Sequence, residues 1–280
     1  MNPFNPDRFA VADRAAIAGR GAVTGRRALL LGAAALPFLS RRALAAEVQV
    51  MASGGLTAAY RALIPEFERS TGHKLGTVQG ASMGAAPDAI PQRLARGEPA
   101  DVLLLAADGL EALIARGLAQ PGSRVDIARS LIGMCVRAGA PKPDISSVDA
   151  FRQALLNASS IAYSASASGV YIENEMYRKL GIHDQVMPKS RRILSERVGT
   201  VVARGDAEIG FQQVSELLPI QGIDYIGTIP EAVQQPTIFC AGIAANAREP
   251  EAARALIRFL ASPEAAPVLA RTGLEPLGKS

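Results

Sequence analysis

Tryptophan is absent from this 280-residue chain, and aromatic residues make up only 5% of it. That is too few for a surface that stacks bases, and it argues against a sandwich core built on large rings. Histidine occurs twice, at His73 and His183, each just after a Gly or Gly-Ile that ends a predicted helix. Both read as exposed loop residues. No cluster has metal-ligand spacing, so neither a metal nor another cofactor is expected. Cysteine also occurs twice, at Cys135 and Cys240, both within apolar strand-like runs. That setting favours free buried thiols over a bridge, although pairing cannot be read from sequence. There is no internal repeat and no low-complexity linker.

The apolar run Ala28 to Leu39 is too short for a permanent membrane anchor, which needs about 20 residues. Thr24-Gly25-Arg26-Arg27 precedes it, and Arg41-Arg42-Ala43-Leu44-Ala45-Ala46 follows. A basic segment, a short apolar segment and an A-x-A site together specify an export signal over residues 1–45, and the paired arginines resemble a twin-arginine signal. The expected destination is the periplasm. Residues 1–45 hold seven of the 30 basic residues and two of the 26 acidic ones, leaving 23 and 24 and a net charge of −1. The basic character therefore belongs to the signal, and nothing in the remainder points to nucleic acid or an anionic membrane surface.

Ala, Leu, Val and Ile dominate the apolar residues, as in helices packed on parallel strands. Strand, loop and helix alternate three times from Glu47 to Gly117: Glu47–Ala52 then Ser53-Gly54-Gly55, Leu75–Gln79 then Gly80-Ala81-Ser82-Met83-Gly84, and Val102–Leu105. That order implies a parallel sheet with helical crossovers. The expected helices run from Ala58 to about Ser70, with Pro65 distorting or splitting the first, then Asp88–Arg96 and Asp108–Arg116. A strand at Ser130–Arg137 and a helix at Val148–Leu156 lead to Ile161-Ala-Tyr-Ser-Ala-Ser-Ala-Ser-Gly-Val-Tyr171. This stretch reads as a short strand, a Ser/Gly loop and a helix over Val170–Leu180. A brief strand at Arg192–Leu194, a helix over Glu196–Arg204 capped by Ser195, and a strand at Glu208–Gln213 follow. Strands at Ile223–Ile226 and Thr237–Ala244 and helices at Pro250–Leu260 and Pro263–Arg271 close the chain.

The fold class expected is α/β with two lobes: 46–128 plus 237–280 in one and 129–236 in the other. In such sheets ligands sit at the carboxyl ends of strands, so the loops of both lobes would face one cleft. A Ser/Gly loop opening a helix presents free N–H groups at the positive end of the helix, and three of them together point to a small anion.

Ser-Gly loop, Gly-Ala-Ser loop, Ala-Asp-Val strand, Ser-Gly-Val-Tyr loop and Gly-Asp-Ala-Glu-Ile-Gly, in that order, resemble the periplasmic molybdate-binding protein family of ABC importers. The resemblance covers Val48 to Leu274 and implies a type II periplasmic binding protein, with parallel-type sheets and an interlobe cleft. Ser53 and Ser82 match the loops that supply hydroxyls to the ligand. Ser168, with Gly169 and Tyr171 behind it, matches the loop whose backbone N–H contacts it. Gln213 stands where the family has a ligand-facing Tyr, and Gly54-Gly55 reads as a more open first loop. Ser53-Gly54-Gly55, Ser82-Met83-Gly84, Ile90-Pro91 with Arg93-Leu94-Ala95-Arg96-Gly97, Tyr163 to Tyr171, and Gly210 to Glu216 are closer to the family's aconitate isomerase branch. That branch implies a periplasmic enzyme interconverting cis- and trans-aconitate. The importer class implies a carrier of molybdate or another small oxyanion, docking on an ABC permease. A monomer is expected in either case.

Each candidate also has a plain structural use. Ser53, Ser82, Ser166 and Ser168 are ordinary helix caps as well as anion donors, and Ser164 is of the same kind. Gln212 and Gln213 alternate along a strand, so only one is expected to face the cleft. Arg93, Arg191, Arg192 and Arg197 could each meet a carboxylate as a planar fork or lie on a solvated face. An allylic proton shift needs a base and an acid. Without a suitable His, the candidates are Tyr163, Tyr171, Glu196 and Glu216.

Overall fold

The computed structural model describes residues 45–278; the expected export signal lies, its last residue apart, outside them. The chain forms two sheets. The first contains β1 (Glu47–Ala52), β2 (Lys74–Gln79), β3 (Val102–Ala106), β4 (Val125–Ser130), β10 (Thr237–Ile243) and β11 (Glu275–Pro276), in the order β11-β4-β10-β3-β1-β2. The second contains β5 (Ile132–Arg137), β6 (Ile161–Ser164), β7 (Ser190–Ile193), β8 (Ile209–Gln213) and β9 (Ile223–Thr228), in the order β7-β6-β8-β5-β9. Each is mixed rather than wholly parallel. β2, β1 and β3 run parallel, as do β7, β6 and β8, while β10 and β5 join these trios antiparallel. The chain passes between the sheets at Leu131 and again after β9. Gln234 ties the two passages together, its Oε1 accepting from Ile132 N–H at 2.9 Å and its Nε2 donating to the Ile132 carbonyl at 3.0 Å.

The pattern of buried residues explains these elements. All five residues of β3, Val-Leu-Leu-Leu-Ala, are buried, as a strand covered on both faces requires. The helix Gly54–Thr71 lays Leu56, Ala59, Tyr60, Leu63 and Phe67 on one face, and Pro250–Leu260 does the same with Ala252, Ala253, Leu256, Ile257 and Leu260. Pro65 neither splits nor ends the first helix. It lies on the exposed side, where water can satisfy the carbonyl released by the missing N–H.

Other elements differ from expectation. β4 was not anticipated, because Asp126 and Arg129 interrupt its apolar residues. The helix after β6 starts at Ala167, three residues early, and widens into a π-helical turn over Ile172–Met176. The helix placed at Glu196 begins at Val198. His73 is buried rather than exposed; its Nδ1 accepts from Ala46 N–H at 3.1 Å and its ring stacks on Phe67. Cys135 in β5 and Cys240 in β10 are free buried thiols, and burial pushes both up to about 12.

Asp101, buried just before β3, fastens the first sheet to its last long helix. One carboxylate oxygen accepts from Gln49 N–H at 2.7 Å; the other accepts from Arg248 and Glu249 N–H at 2.6 and 2.9 Å. Replacing Asp101 with Ala removes the acceptor of three partly buried backbone hydrogen bonds. Urea denaturation of Asp101→Ala should show a loss of roughly 3 kcal/mol, against under 1 for a surface substitution.

Candidate ligand cleft

Loops at the carboxyl ends of five parallel strands converge on one cavity of ≈ 140 Å³ between the two sheets. Ser53 to Gly55 follow β1, Gln79 to Ser82 end β2, Ser164 to Ser168 end β6, Ile193 to Arg197 end β7, and Gln212, Gln213 and Glu216 end β8. Asp88 and Phe239 complete the wall.

The hydroxyls along this wall are not spent as helix caps. Ser53 and Ser166 stand at N-cap positions without a capping hydrogen bond, and the buried Ser53 Oγ has no partner among the described residues. Ser82 Oγ accepts from Ala106 N–H at 2.9 Å, which leaves its own proton to donate. Ser168 is buried at the start of its helix, while Ser164 Oγ accepts from Ser166 N–H at 3.0 Å and shapes the loop. Gly54 and Gly55 are not an open loop. They form the first turn of the long helix, whose leading N–H groups have no intrahelical acceptor.

Both glycines are required by what approaches them. A Cβ on Gly54 would lie 1.9 Å from Glu216 Oε1, and one on Gly55 would lie 2.1 Å from the Phe239 ring. The room they vacate is thus filled by a carboxyl group and an aromatic ring, and it does not widen the ligand space. Ser215 Oγ, beside Glu216, donates to the Gly55 carbonyl at 2.7 Å and joins the same two segments.

Glu216 is the titratable group most altered by the cleft. Burial pushes its carboxyl up to about 7; the nearby Arg197 charge, the Gln212 amide and the Gln213 backbone N–H each pull it down in part. Gln212 donates from Nε2 to Glu216 Oε1 at 2.9 Å. Both glutamines reach the cleft, against the expectation that only one would. β8 ends at Gln213, which turns directly into the helix Val214–Leu217, so strand alternation no longer governs the last residue. Gln213 Nε2 donates to Thr237 Oγ1 at 2.8 Å, and its buried Oε1 has no partner among the described residues.

Of the four candidate arginines only Arg197 lines the cavity, and it forms no salt bridge among the described residues. Arg93 is held by Glu98 at 2.7 Å, Arg192 by Glu173, and Arg191 reaches the Asp206 carbonyl. The tyrosines also lie elsewhere. Tyr163 is buried under the loop and donates to Glu173 at 3.0 Å; burial, then this bond, push its phenol up to about 12. Tyr171 donates to the Val233 carbonyl at 2.8 Å and, with Met83, lines a separate hollow. Gly169 packs beneath the loop, where a Cβ would overlap the Ser164 carbonyl. Glu196 reaches the rim, but its carboxylate is paired with Arg204. Asp88 and Ser195 were missed as a pair: Ser195 Oγ donates to Asp88 Oδ1 at 3.3 Å across the cleft mouth. No local signal links residues so far apart in sequence.

The chain matches the model for bacterial extracellular solute-binding proteins over residues 48–275. It belongs to that family. It is 46% identical over 250 residues to an aconitate isomerase of Pseudomonas sp., an alignment covering 89% of this chain and 94% of the relative. It is 28% identical to the molybdate-binding protein ModA of Azotobacter vinelandii, over 84% and 92% of the two chains. The solved structure of the Azotobacter vinelandii periplasmic molybdate-binding protein superposes with a TM-score of 0.64 at 21% identity, covering 81% of this chain and 98% of that one. This last likeness speaks for the fold: two-lobed α/β, of the type II periplasmic binding protein kind.

The raised Glu216 carboxyl makes this solute-binding protein less stable in neutral solution. Folded, the group keeps its proton to about pH 7; unfolded, it releases it near 4.5. Between those values the folded state binds more protons, so the stability that protonation confers is full below 4.5 and declines as pH rises towards 7. Glu216→Gln should therefore gain on the order of 1–3 kcal/mol over wild type at pH 8 and nothing at pH 4. Thermal melts of both proteins from pH 4 to 8 test this, and a constant offset across that range would refute it.

Proposed function

We propose that this protein is a monomeric periplasmic aconitate isomerase that interconverts cis- and trans-aconitate. The lobes formed by residues 46–128 with 237–280 and by residues 129–236 close on the ligand. The observation that carries this reading is the placing of Glu216, whose carboxyl burial pushes up to about 7, in one cavity with Arg197, which has no salt-bridge partner among the described residues. The 46% identity to the Pseudomonas enzyme supports it.

The reaction moves a double bond along an allylic system. A base removes a proton from the methylene carbon, the electron pair shifts across the central carbon, and a proton is delivered to the former vinylic carbon. A base poised near the working pH suits both the removal and the return. Glu216 is assigned that task, since Tyr163 and Tyr171 are committed to Glu173 and the Val233 carbonyl. Arg197 pairs with one ligand carboxylate. The hydroxyls of Ser53, Ser82 and Ser168 and the N–H groups of Gly54 and Gly55 hold the others and stabilise charge as it spreads onto carboxylate oxygens.

The relationship to ModA keeps a second reading in play: an importer component that delivers a small oxyanion to an ABC permease. Glu216 weighs against it, because an ionised carboxyl in the wall repels a compact dianion that has no second end to turn away.

Mixing the purified protein with trans-aconitate and following the cis isomer by chromatography tests the proposal. Turnover is expected, with kcat/KM rising through about pH 7 to a plateau as Glu216 ionises. Glu216→Gln should lower kcat by about 10²–10⁴-fold. Arg197→Ala should weaken binding roughly 10- to 100-fold, as the loss of a charge-assisted bond does. Tight molybdate binding with no turnover, unaffected by Arg197→Ala, would return the protein to the importer reading.

A further inference from the structure

Both ends of the Gln212 amide are engaged by the protein. Its side chain is buried, with 3% exposure. Oε1 accepts from Val198 N–H at 2.9 Å, and Nε2 donates to Glu216 Oε1 at 2.9 Å. The first bond decides the second. A backbone N–H can only donate, so the end of the amide that meets Val198 must be the oxygen, and the NH2 end is then turned to Glu216. Val198 is the first residue of its helix, directly after Arg197, so one side chain links the helix start that carries the cation to the carboxyl across from it.

Taking Glu216 as the proton carrier, as proposed above, we propose that Gln212 is a positioning residue: anchored on Val198 N–H, it fixes the Glu216 carboxyl against Gly54 and presents a donor to its ionised form. The other groups around Glu216 do not duplicate this. Arg197 acts on it through charge, the Gln213 backbone N–H is the other donor, and Gly54 and Phe239 on the opposite wall carry no titratable group. Asp88 and Glu196, the remaining acids of the cleft, are engaged by Ser195 and Arg204.

Two variants separate positioning from packing. Gln212→Met keeps the bulk and removes both bonds. Val198→Pro keeps Gln212 and Glu216 but deletes the N–H that sets the amide's direction. Proline suits the first helical position, and Arg197 before it is already extended at φ −75° and ψ 135°. The readout is the titration of Glu216 itself, followed by 13C NMR of protein labelled at the glutamate side-chain carboxyls, with the signal assigned by its loss in Glu216→Gln. In Gln212→Met the midpoint should rise by about one pH unit, the equivalent of one charge-assisted bond. In Val198→Pro it should rise by less. The acid limb of kcat/KM should move by the same increments, with kcat lowered and KM nearly unchanged. Superimposable Glu216 titrations in the wild type and in both variants, folded by circular dichroism, would overturn the assignment. If Gln212→Met fails to fold, Val198→Pro decides alone. If the wild type does not turn over aconitate, the proposed function fails, while the NMR titration still decides the role of Gln212.

Discussion

The contact between the Glu216 carboxyl and the helix start at Gly54 constrains everything around the cleft. It joins a residue from the short helix that follows β8 of the second sheet to the first turn of the first sheet's longest helix. Oε1 occupies the place a Cβ would take on Gly54, and Phe239 does the same at Gly55, so neither position tolerates any other side chain without movement. Ser215 closes the same junction through the Gly55 carbonyl. A carboxyl placed there loses water. It is held by the Gln212 amide, the Gln213 backbone N–H and the field of Arg197, which offset only part of that loss. An apolar residue of similar size would make a more stable junction, so keeping an acid there makes sense as a cost accepted for function.

The remaining charges around the cleft leave one cation lining it among the described residues, Arg197. Arg93, Arg192 and Arg204 are tied to carboxylates, and Arg191 to a carbonyl, all outside the cavity or at its rim. What lines the interior is mostly neutral: serine hydroxyls, glycine N–H groups and three amides. Neutral donors can hold an anion from any side, whereas a single arginine gives the site direction. In the proposed reading, a ligand with several carboxylates would bind such a site in a defined orientation, one end on Arg197 and the carbon skeleton along the wall towards Glu216. A tetrahedral oxyanion has no such skeleton, and would bring its whole charge against the acid.

Much of the scaffold was legible in the sequence because it rests on local patterns. The apolar runs of β3, β5 and β8 and the stripe of Pro250–Leu260 each follow a period that one element's burial imposes. The serine loops were legible too, since strand, Ser/Gly and helix are consecutive. What escaped was set by distant neighbours. Asp126 and Arg129 disguised β4, although its inward residues are ordinary. Tyr163 and Tyr171 belong to the right loop but point to Glu173 and Val233, which the order of residues does not reveal. The pairing of Arg192 with Glu173, and the use of Gly54 and Gly55 to admit Glu216 and Phe239, depend on packing between segments that are not adjacent in the chain. Glu216 could be named from its chemistry, but its burial could not.

The neighbourhood of Arg197 and Glu216 also links anion binding to base strength. The arginine's positive field favours the ionised carboxyl and holds its proton affinity down. A ligand carboxylate that pairs with Arg197 cancels much of that field, and its own charge acts on Glu216 in the same direction. The proton affinity of Glu216 therefore rises at the moment a carbon acid is placed beside it. A stronger base is needed there, because a proton on carbon is far harder to remove than one on oxygen. The same rise reduces the ionised fraction at a given pH, and the donors from Gln212 and Gln213 work against that reduction. For the proposed isomerase, the balance between these opposing effects, rather than the presence of an acid alone, would let an anion-binding cleft also move a proton.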